Sequence, residues 1–343
     1  MTTKDEYRKL LREAFGRSPQ WTEWFAANVL SDTMLRPLLA PDGHLLSGMV
    51  MRPGRFAMHG ALLPAGHIAG AATPKNERGQ GYMQRLTADV VKALAREGLA
   101  LCTVCPRERY RYFGYDAFDF ATVFYVDELR YTSVHPFTLD EDMVPAEPVY
   151  ALFERLENLR PCGMRHDAAD FDLAVREAEL ADGAVVAVSG PDGRAAMAFA
   201  VADHTVTVLD VLATDAAAAE SALALVRAET GDKPVIVRAE PGMRPFCMRA
   251  AGMVRILDPG AVLATVAAAF PRLKLTVRVR DRLIEANNAT FRLADGLCVP
   301  AEGRRRPDLD VTAGVLARML FNDPRVGDIT GLPSVRPRIS LML

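Results

Sequence analysis

An α/β (α+β) chain that uses one arrangement of elements twice is what the sequence predicts, and three observations predict it. Segments of helical period, such as Tyr7, Leu10, Leu11 and Phe15, alternate with short apolar runs bounded by Gly and Pro. The order helices, meander, helix, strand occurs in the first third of the chain and starts again around Pro136. The last third opens on strict alternation, with Leu273, Leu275, Val277 and Val279 set against Arg272, Lys274, Thr276, Arg278 and Arg280, a strand with one buried and one basic face. These breaks divide the 343 residues into 1–135, 136–260 and 261–343, segments in the ordinary size range of domains.

Taken in order, Glu6–Phe15 reads as an amphipathic helix, and Trp21, Trp24 and Phe25 mark a second, shorter one whose aromatic rings either pack or line a pocket. From Gly43 to Thr73, turn signals at Pro41-Asp42-Gly43 and Pro53-Gly54 punctuate apolar runs, the pattern of an antiparallel meander. Its last strand, Ile68–Thr73, is made of small residues. A loop follows, and then a helix with Met83, Leu86, Val90 and Leu94 on one stripe and Gly98 as its stop. Leu99–Val104 is another strand, leading to the aromatic run Tyr110-Arg111-Tyr112-Phe113-Gly114-Tyr115.

In the middle third, Tyr150, Leu152, Phe153, Leu156 and Leu159 suit a helix, and Asp170–Leu180 another. Ala184–Val188 and the run Ala195–Leu212 read as strands, joined by the hairpin signal Ser189-Gly190-Pro191-Asp192-Gly193. Ala216–Thr230 is a helix closed by Gly231, and Pro234–Arg238 a strand. The order of the first third is thus repeated without its glycine-rich loop, which predicts a degenerate second copy. Thr312–Phe321 reads as a helix, and the tail ends in Leu341-Met342-Leu343.

Composition excludes several classes. A chain 50% hydrophobic and 24% charged is neither disordered nor collagen-like, and five cysteines in this length make no disulfide scaffold. A formal charge of −2 gives no global attraction to nucleic acid or to an anionic membrane. No apolar run approaches the roughly 20 residues that span a bilayer. The charged start Met1–Glu6 has no apolar core of a signal peptide, and the odd cysteine count suits a reducing cytoplasmic setting. The six histidines show no metal-ligand spacing, and Cys102 and Cys105 sit in a strand-like run without the turn that a redox pair needs. Between Arg272 and Arg306, nine basic residues against four acidic ones make a solvated face, or a surface for an acidic partner.

The chemistry concentrates in Arg78-Gly79-Gln80-Gly81-Tyr82, between a strand and a helix. Glycines let the backbone approach a ligand without a Cβ in the way, and the helix N-terminus adds about half a positive charge. Together they make a cradle for a diphosphate. A dinucleotide fingerprint is excluded because Gln84 stands where the third glycine belongs, and a P-loop because no Gly-Lys-Ser/Thr ending follows. A plain glycine-rich turn is the other reading of the same residues.

The passage Ala71-Ala72-Thr73-Pro74-Lys75-Asn76-Glu77-Arg78-Gly79-Gln80-Gly81-Tyr82-Met83 resembles the acetyl-coenzyme A signature of the GNAT N-acetyltransferases, R-x-x-G-x-G/A after a strand, with Met83 departing from the last small residue. Tyr110–Tyr115 resembles that superfamily's Y-x-x-F-G-[FY] element. A second GNAT-like domain without the cradle, and a last domain carrying Asn287-Asn288-Ala289-Thr290-Phe291-Arg292-Leu293, extend the resemblance to the Eis (enhanced intracellular survival) acetyltransferases, whose third domain is similar to a sterol carrier protein.

The resemblance implies an acyltransferase that binds acetyl-CoA as co-substrate, with no metal, through Ala71, Ala72, Thr73, Arg78, Gly79, Gln80, Gly81, Tyr82 and Met83. It implies Tyr110 as the acid that protonates the leaving thiolate; the other reading of Tyr110 is a packing aromatic. It also implies the terminal carboxylate of Leu343 as the base, a role a water could fill. Trp21, Trp24 and Phe25 are candidates for the acceptor pocket, because cationic amines favour aromatic faces. The expected acceptor is a primary amine on a polyamine, an aminoglycoside-like molecule or a lysine, and the expected assembly a homo-oligomer. A CoA-binding regulator or scaffold without turnover is the alternative, left open by Met83 and the short tail, and an apolar ligand in the last domain a further one.

Overall fold

The computed structural model describes residues 2–125, 149–202, 205–229, 233–239, 248–301, 306–321, 330–333 and 335. It forms two compact units: Met1–Asp119 with Pro161–Met164 and Ala251–Pro337, and Phe120–Arg160 with Arg165–Ala250 and Arg338–Leu343.

Helix α1 (Thr3–Phe15) begins where Thr2 and Asp5 cap each other reciprocally and ends at Gly16, whose φ of 63° suits a residue without Cβ. Its inner face buries Tyr7, Leu10 and Leu11. Helix α2 (Pro19–Asn28) starts from the Ser18 hydroxyl, which accepts the Trp21 N–H, with Pro19 in the first turn. Strands β1 (Leu35–Leu39), β2 (Leu45–Met58) and β3 (Ala61–Ala72) form the expected meander. Helix α3 (Tyr82–Arg96) presents Leu86, Val90, Val91 and Leu94 to a core that includes Met49, Met51 and Ile68 from the sheet. Burying such a side chain is worth about 1.5–3 kcal/mol, so this stripe is what fixes α3 on the strands. Strand β4 (Leu101–Val104) and a 3-10 helix at Glu108–Phe113 follow, and β5 (Asp116–Tyr125) leaves the first unit at Asp119.

Next along the chain come α4 (Val149–Asn158), β6 (Cys162–Arg165), α5 (Ala168–Leu180), β7 (Ala184–Ser189), β8 (Ala195–Ala202), β9 (Val206–Ala213), α6 (Ala216–Glu229), β10 (Val235–Ala239) and β11 (Met248–Ile256). Within the second unit the strand order is β5-β10-β9-β8-β7. Its core packs Ala218, Ala219, Ala222, Leu223 and Val226 of α6 on the valines and alanines of β7–β10. The run Ala195–Leu212, read from sequence as one strand, is two: β8 and β9 pair antiparallel, Ala196 opposite Ala213 and Ala202 opposite Val206. Gly231, the expected stop of α6, lies outside the described residues.

The units interleave along the chain. Strand β11 pairs antiparallel with β4, from Met253 opposite Val104 to Ile256 opposite Leu101, so the first unit's strands run β1-β2-β3-β4-β11, with β6 against β2. Helix α7 (Pro259–Ala269) then leads to β12 (Leu275–Arg280), β13 (Thr290–Ala294), β14 (Leu297–Pro300), β15 (Leu309–Thr312) and α8 (Ala313–Phe321). These strands form a separate sheet in the order β14-β13-β12-β15. On β12, Val277 and Val279 are buried while Arg278 and Arg280 face outward, the alternation the sequence predicted. A buried ion pair ties β11 to this part of the unit: Arg255 donates to Asp281 at 2.7 Å, and Asp281 also accepts the N–H groups of Leu283 and Ile284 and the Asn287 side-chain amide. Among the described residues no helix is long and apolar enough to cross a membrane.

Candidate functional site

The parallel pair β3–β4 runs from Ala65 opposite Leu101 to Ile68 opposite Val104 and stops there, although β3 continues to Ala72. On its other side β3 stays paired to β2, but the register slips: Ala69 lies opposite Val50 and Ala72 opposite Gly48. Met49 therefore faces both Gly70 and Ala71, a β-bulge immediately past the last β3–β4 pair. Gly70 has φ of 59°, a conformation in which a side chain is strained. The bulge lies just past the last β3–β4 pair, and β4 ends at Val104 while β3 runs on to Ala72.

The tip of β3 is fastened from β2. The Ser47 hydroxyl donates to the Ala72 carbonyl at 3.1 Å and lies 2.9 Å from the Thr73 hydroxyl. Lys75–Glu77 makes a short 3-10 turn, and the exposed Arg78 donates from Nε to the Thr73 carbonyl at 3.1 Å. Gly79 and Gly81 both take positive φ, 83° and 79°. A Cβ at Gly79 would meet nothing within 4 Å, so glycine is required here by conformation and not by space.

Gly81 is also the residue from which α3 starts, and no side chain caps that end. The first N–H groups of a helix have no partner inside it, and they carry the positive pole of its dipole. In α3 this pole faces an exposed loop, Gly79-Gln80-Gly81, and the donor set fits an anion such as a diphosphate. Met83, the departure from the expected small residue, is turned inward: its sulfur lies 4.0 Å from the Ser47 hydroxyl and its side chain packs on the α3 core.

Tyr110 sits in the 3-10 helix after β4, 5% exposed, its ring centroid 5.6 Å from that of Tyr115. Burial pushes its phenol up to about 12, so it is a proton donor at every pH below that. Among the described residues its hydroxyl has no hydrogen-bond partner. Tyr115 is different, because its hydroxyl donates to the buried Cys102 sulfur at 3.2 Å. Neither Cys102 nor the exposed Cys105 is in a disulfide, and burial raises the Cys102 thiol to about 12. Among the described residues no group of three or more His, Cys, Asp or Glu side chains could hold a metal ion.

Of the aromatic residues considered for an acceptor pocket, Trp21 and Phe25 are buried and stacked at 4.8 Å, and Trp24 is half-buried. The Arg17 guanidinium lies 4.5 Å over the Trp21 ring, so that ring already has a cation on its face. Leu343 lies outside the described residues. Three residues at the site escaped the sequence reading. Ser47 gave no signal, Tyr7 read only as one position of a helix stripe, and Gly70 could have been found as a glycine inside a strand, a mark of a bulge.

Residues 2–118 match the family model of the acetyltransferase (GNAT) domain. This first third of the chain is thus similar to a GNAT acetyltransferase domain, and the match supports an N-acetyltransferase enzyme. Known structures share the fold along nearly the whole chain. Eis1 from Mycobacterium abscessus superposes with a TM-score of 0.70 at 15% identity, covering 97% of this chain and 91% of that one. A GCN5-related N-acetyltransferase from Kribbella flavida gives 0.71 at 16%, covering 98% and 96%, and one from Anabaena variabilis 0.72 at 15%, covering 96% and 91%. No curated protein sequence matches the chain.

Proposed function

We propose that the protein transfers an acetyl group from acetyl-CoA directly to a primary amine, the acceptor being a polyamine, an aminoglycoside-like molecule or a lysine. The observation that carries this reading is the uncapped N-terminus of α3 behind a parallel strand pair whose pairing ends at Ile68 and Val104 while β3 runs on to Ala72. The backbone of Arg78 to Met83 holds the diphosphate, and the backbone of Ala71, Ala72 and Thr73 holds the pantetheine arm in the opening. Bound acetyl-CoA supplies the activated acetyl thioester.

Holding donor and acceptor together supplies much of the acceleration. Backbone N–H groups beside the bulge stabilise the negative charge that develops on the carbonyl oxygen. As the new C–N bond forms and the C–S bond breaks, Tyr110 gives its proton to the sulfur. The amine's proton goes to a water or to the terminal carboxylate of Leu343. The second unit is read as a degenerate copy of the first, the last third as a sterol-carrier-like domain, and the assembly as a homo-oligomer. The repeat is supported by β9–α6–β10, which follows the same strand–helix–strand course as β3–α3–β4.

The test is CoA release from acetyl-CoA, read with a thiol-reactive dye across aminoglycosides, polyamines and lysine peptides. Amine-dependent release is expected. If no amine stimulates release although acetyl-CoA raises the melting temperature, the protein is a CoA-binding regulator. If acetyl-CoA does not bind, the reading of the α3 loop is wrong.

A further inference from the structure

Tyr7 is completely buried, yet its one polar atom is aimed at the site: the hydroxyl donates to the Gly70 carbonyl at 2.7 Å, across 63 residues of chain. The ring fits because two adjacent strands carry glycine where it passes. A Cβ at Gly48 of β2 would lie 2.7 Å from the ring carbon Cδ2, and one at Gly70 of β3 would lie 2.5 Å from the hydroxyl itself. Gly48 borders the bulge that opposes Met49 to Gly70 and Ala71, and Gly70 is part of it. Leu11, one turn along α1, closes the slot from the side, 3.1 Å from the same Gly70 position.

We propose that Tyr7 is a positioning residue of the acetyl-transfer site, its phenol O–H clamping the Gly70 carbonyl and thereby fixing the direction of the Ala71 N–H. The two groups belong to one planar trans peptide and point in opposite directions. A carbonyl held toward α1 therefore turns the Ala71 N–H away from it, and that N–H is one of the backbone groups assigned to the acetyl donor. The bulge by itself does not settle this orientation, because a glycine at positive φ is the residue least able to hold its own backbone in place. The clamp supplies what glycine lacks.

The two tyrosines divide the work. The Tyr7 hydroxyl is committed to a carbonyl, and burial keeps its phenol protonated. The Tyr110 hydroxyl is uncommitted among the described residues. Tyr7 is thus no substitute acid for Tyr110, and its removal acts through the backbone.

This inference rests on the proposed transferase reading, and the experiment separates the two. Tyr7→Phe removes only the hydroxyl. Its kcat with the best amine is expected to fall about tenfold to a hundredfold, the scale of a small misplacement of reacting groups. The dissociation constant for CoA is expected to stay within about threefold, because the diphosphate loop at Arg78–Met83 is untouched and one neutral hydrogen bond is worth roughly that factor or a little more. Independently of turnover, the Ala71 amide should exchange with solvent deuterium at least about tenfold faster in Tyr7→Phe, while amides of α3 keep their rates. A second arm uses Gly70→Ala, which should cost more melting temperature in the native background than in Tyr7→Phe, since the hydroxyl is the nearest obstacle to the new methyl. Unchanged kcat in an active enzyme, unchanged Ala71 exchange, or equal cost of Gly70→Ala in both backgrounds would each overturn the clamp. If the native protein shows no transfer at all, the transferase reading fails, and the exchange and double-variant arms still decide the clamp.

Discussion

The two strand–helix–strand crossovers, β3–α3–β4 in the first unit and β9–α6–β10 in the second, share a plan and differ at one end of a helix. Both crossover pairs are parallel, and in both the register slips close to where the pairing stops: Gly70 and Ala71 share one partner in β3, and Leu209 is the extra residue in β9. The helix that follows is open in one and closed in the other. In α3 the first turn has no side-chain cap. In front of α6, Asp215 accepts the Ala218 N–H at 3.0 Å, and that bond leads the causes that hold its carboxyl below the usual range.

The bulges differ too. Beside Leu209 the buried Asp210 takes two hydrogen bonds from Arg160, at 2.7 and 2.8 Å, whereas at the first bulge the Gly70 carbonyl accepts the Tyr7 hydroxyl. A protein carboxylate thus occupies the positive pole in the second unit, and an external diphosphate would occupy it in the first. On the proposed reading, the α3 end binds an external anion where the α6 end is capped by the chain's own Asp215.

The largest expected effect comes from giving the first crossover the device of the second. Gly81→Asp places a carboxylate at the α3 pole, where like charges cost several kcal/mol, and acetyl-CoA binding measured by calorimetry should weaken by about a hundredfold or more. Retained affinity would show that the pole does not hold the diphosphate. Next is Tyr110→Phe: kcat should drop about a hundredfold, the usual scale for loss of a general acid, with CoA affinity unchanged. The same residue makes a prediction about pH. Because burial raises its phenol to about 12, it stays protonated below that value, so kcat/KM should rise as the amine deprotonates and show no fall up to about pH 10. A descending limb near pH 9 would assign the acid to another group.

A smaller effect is expected from Arg78→Met, about tenfold in acetyl-CoA affinity, as for one charge-assisted hydrogen bond, and the loss should shrink as salt is raised. The smallest is Asp215→Ala, which removes a cap worth about 1 kcal/mol. It should lower the melting temperature by a few degrees and leave acetyl-CoA affinity unchanged. Since Asp215 is depressed in the folded state, its contribution is present above the unfolded carboxyl's ordinary value and is lost as pH falls through the lower, folded one. The difference between native and variant should therefore shrink as pH falls below the ordinary carboxyl value. Weaker CoA binding in this variant would mean that the two crossovers are not separate in function.

Much of the candidate site was legible in the residues alone. Arg78-Gly79-Gln80-Gly81 before a striped helix gave the open helix end, because glycine, helix stripe and stop signal act within a few residues of one another. Tyr110 was legible only as part of a motif, since nothing local separates a buried acid from a packing aromatic. The Trp21–Phe25 cluster read equally as pocket or core, and the structure buries Trp21 and Phe25 and sets Arg17 over the Trp21 ring. Strand β11 went unread: its buried Arg255 interrupts the apolar pattern, and only the distant Asp281 explains an arginine there.

The sequence by itself indicated most of the helices, though not α7, the face several of them bury, and that one helix begins on a glycine turn without a side-chain cap. Those features follow from backbone preferences and periodicity over a few residues. The tertiary structure alone decided that Tyr7 meets Gly70, that β11 joins β4, and that Met83 points to the core beside Ser47. Each of these joins residues far apart in the chain. Such contacts form only when closing the intervening loop is repaid by burial and hydrogen bonding across the whole unit, and no short window of sequence contains that balance.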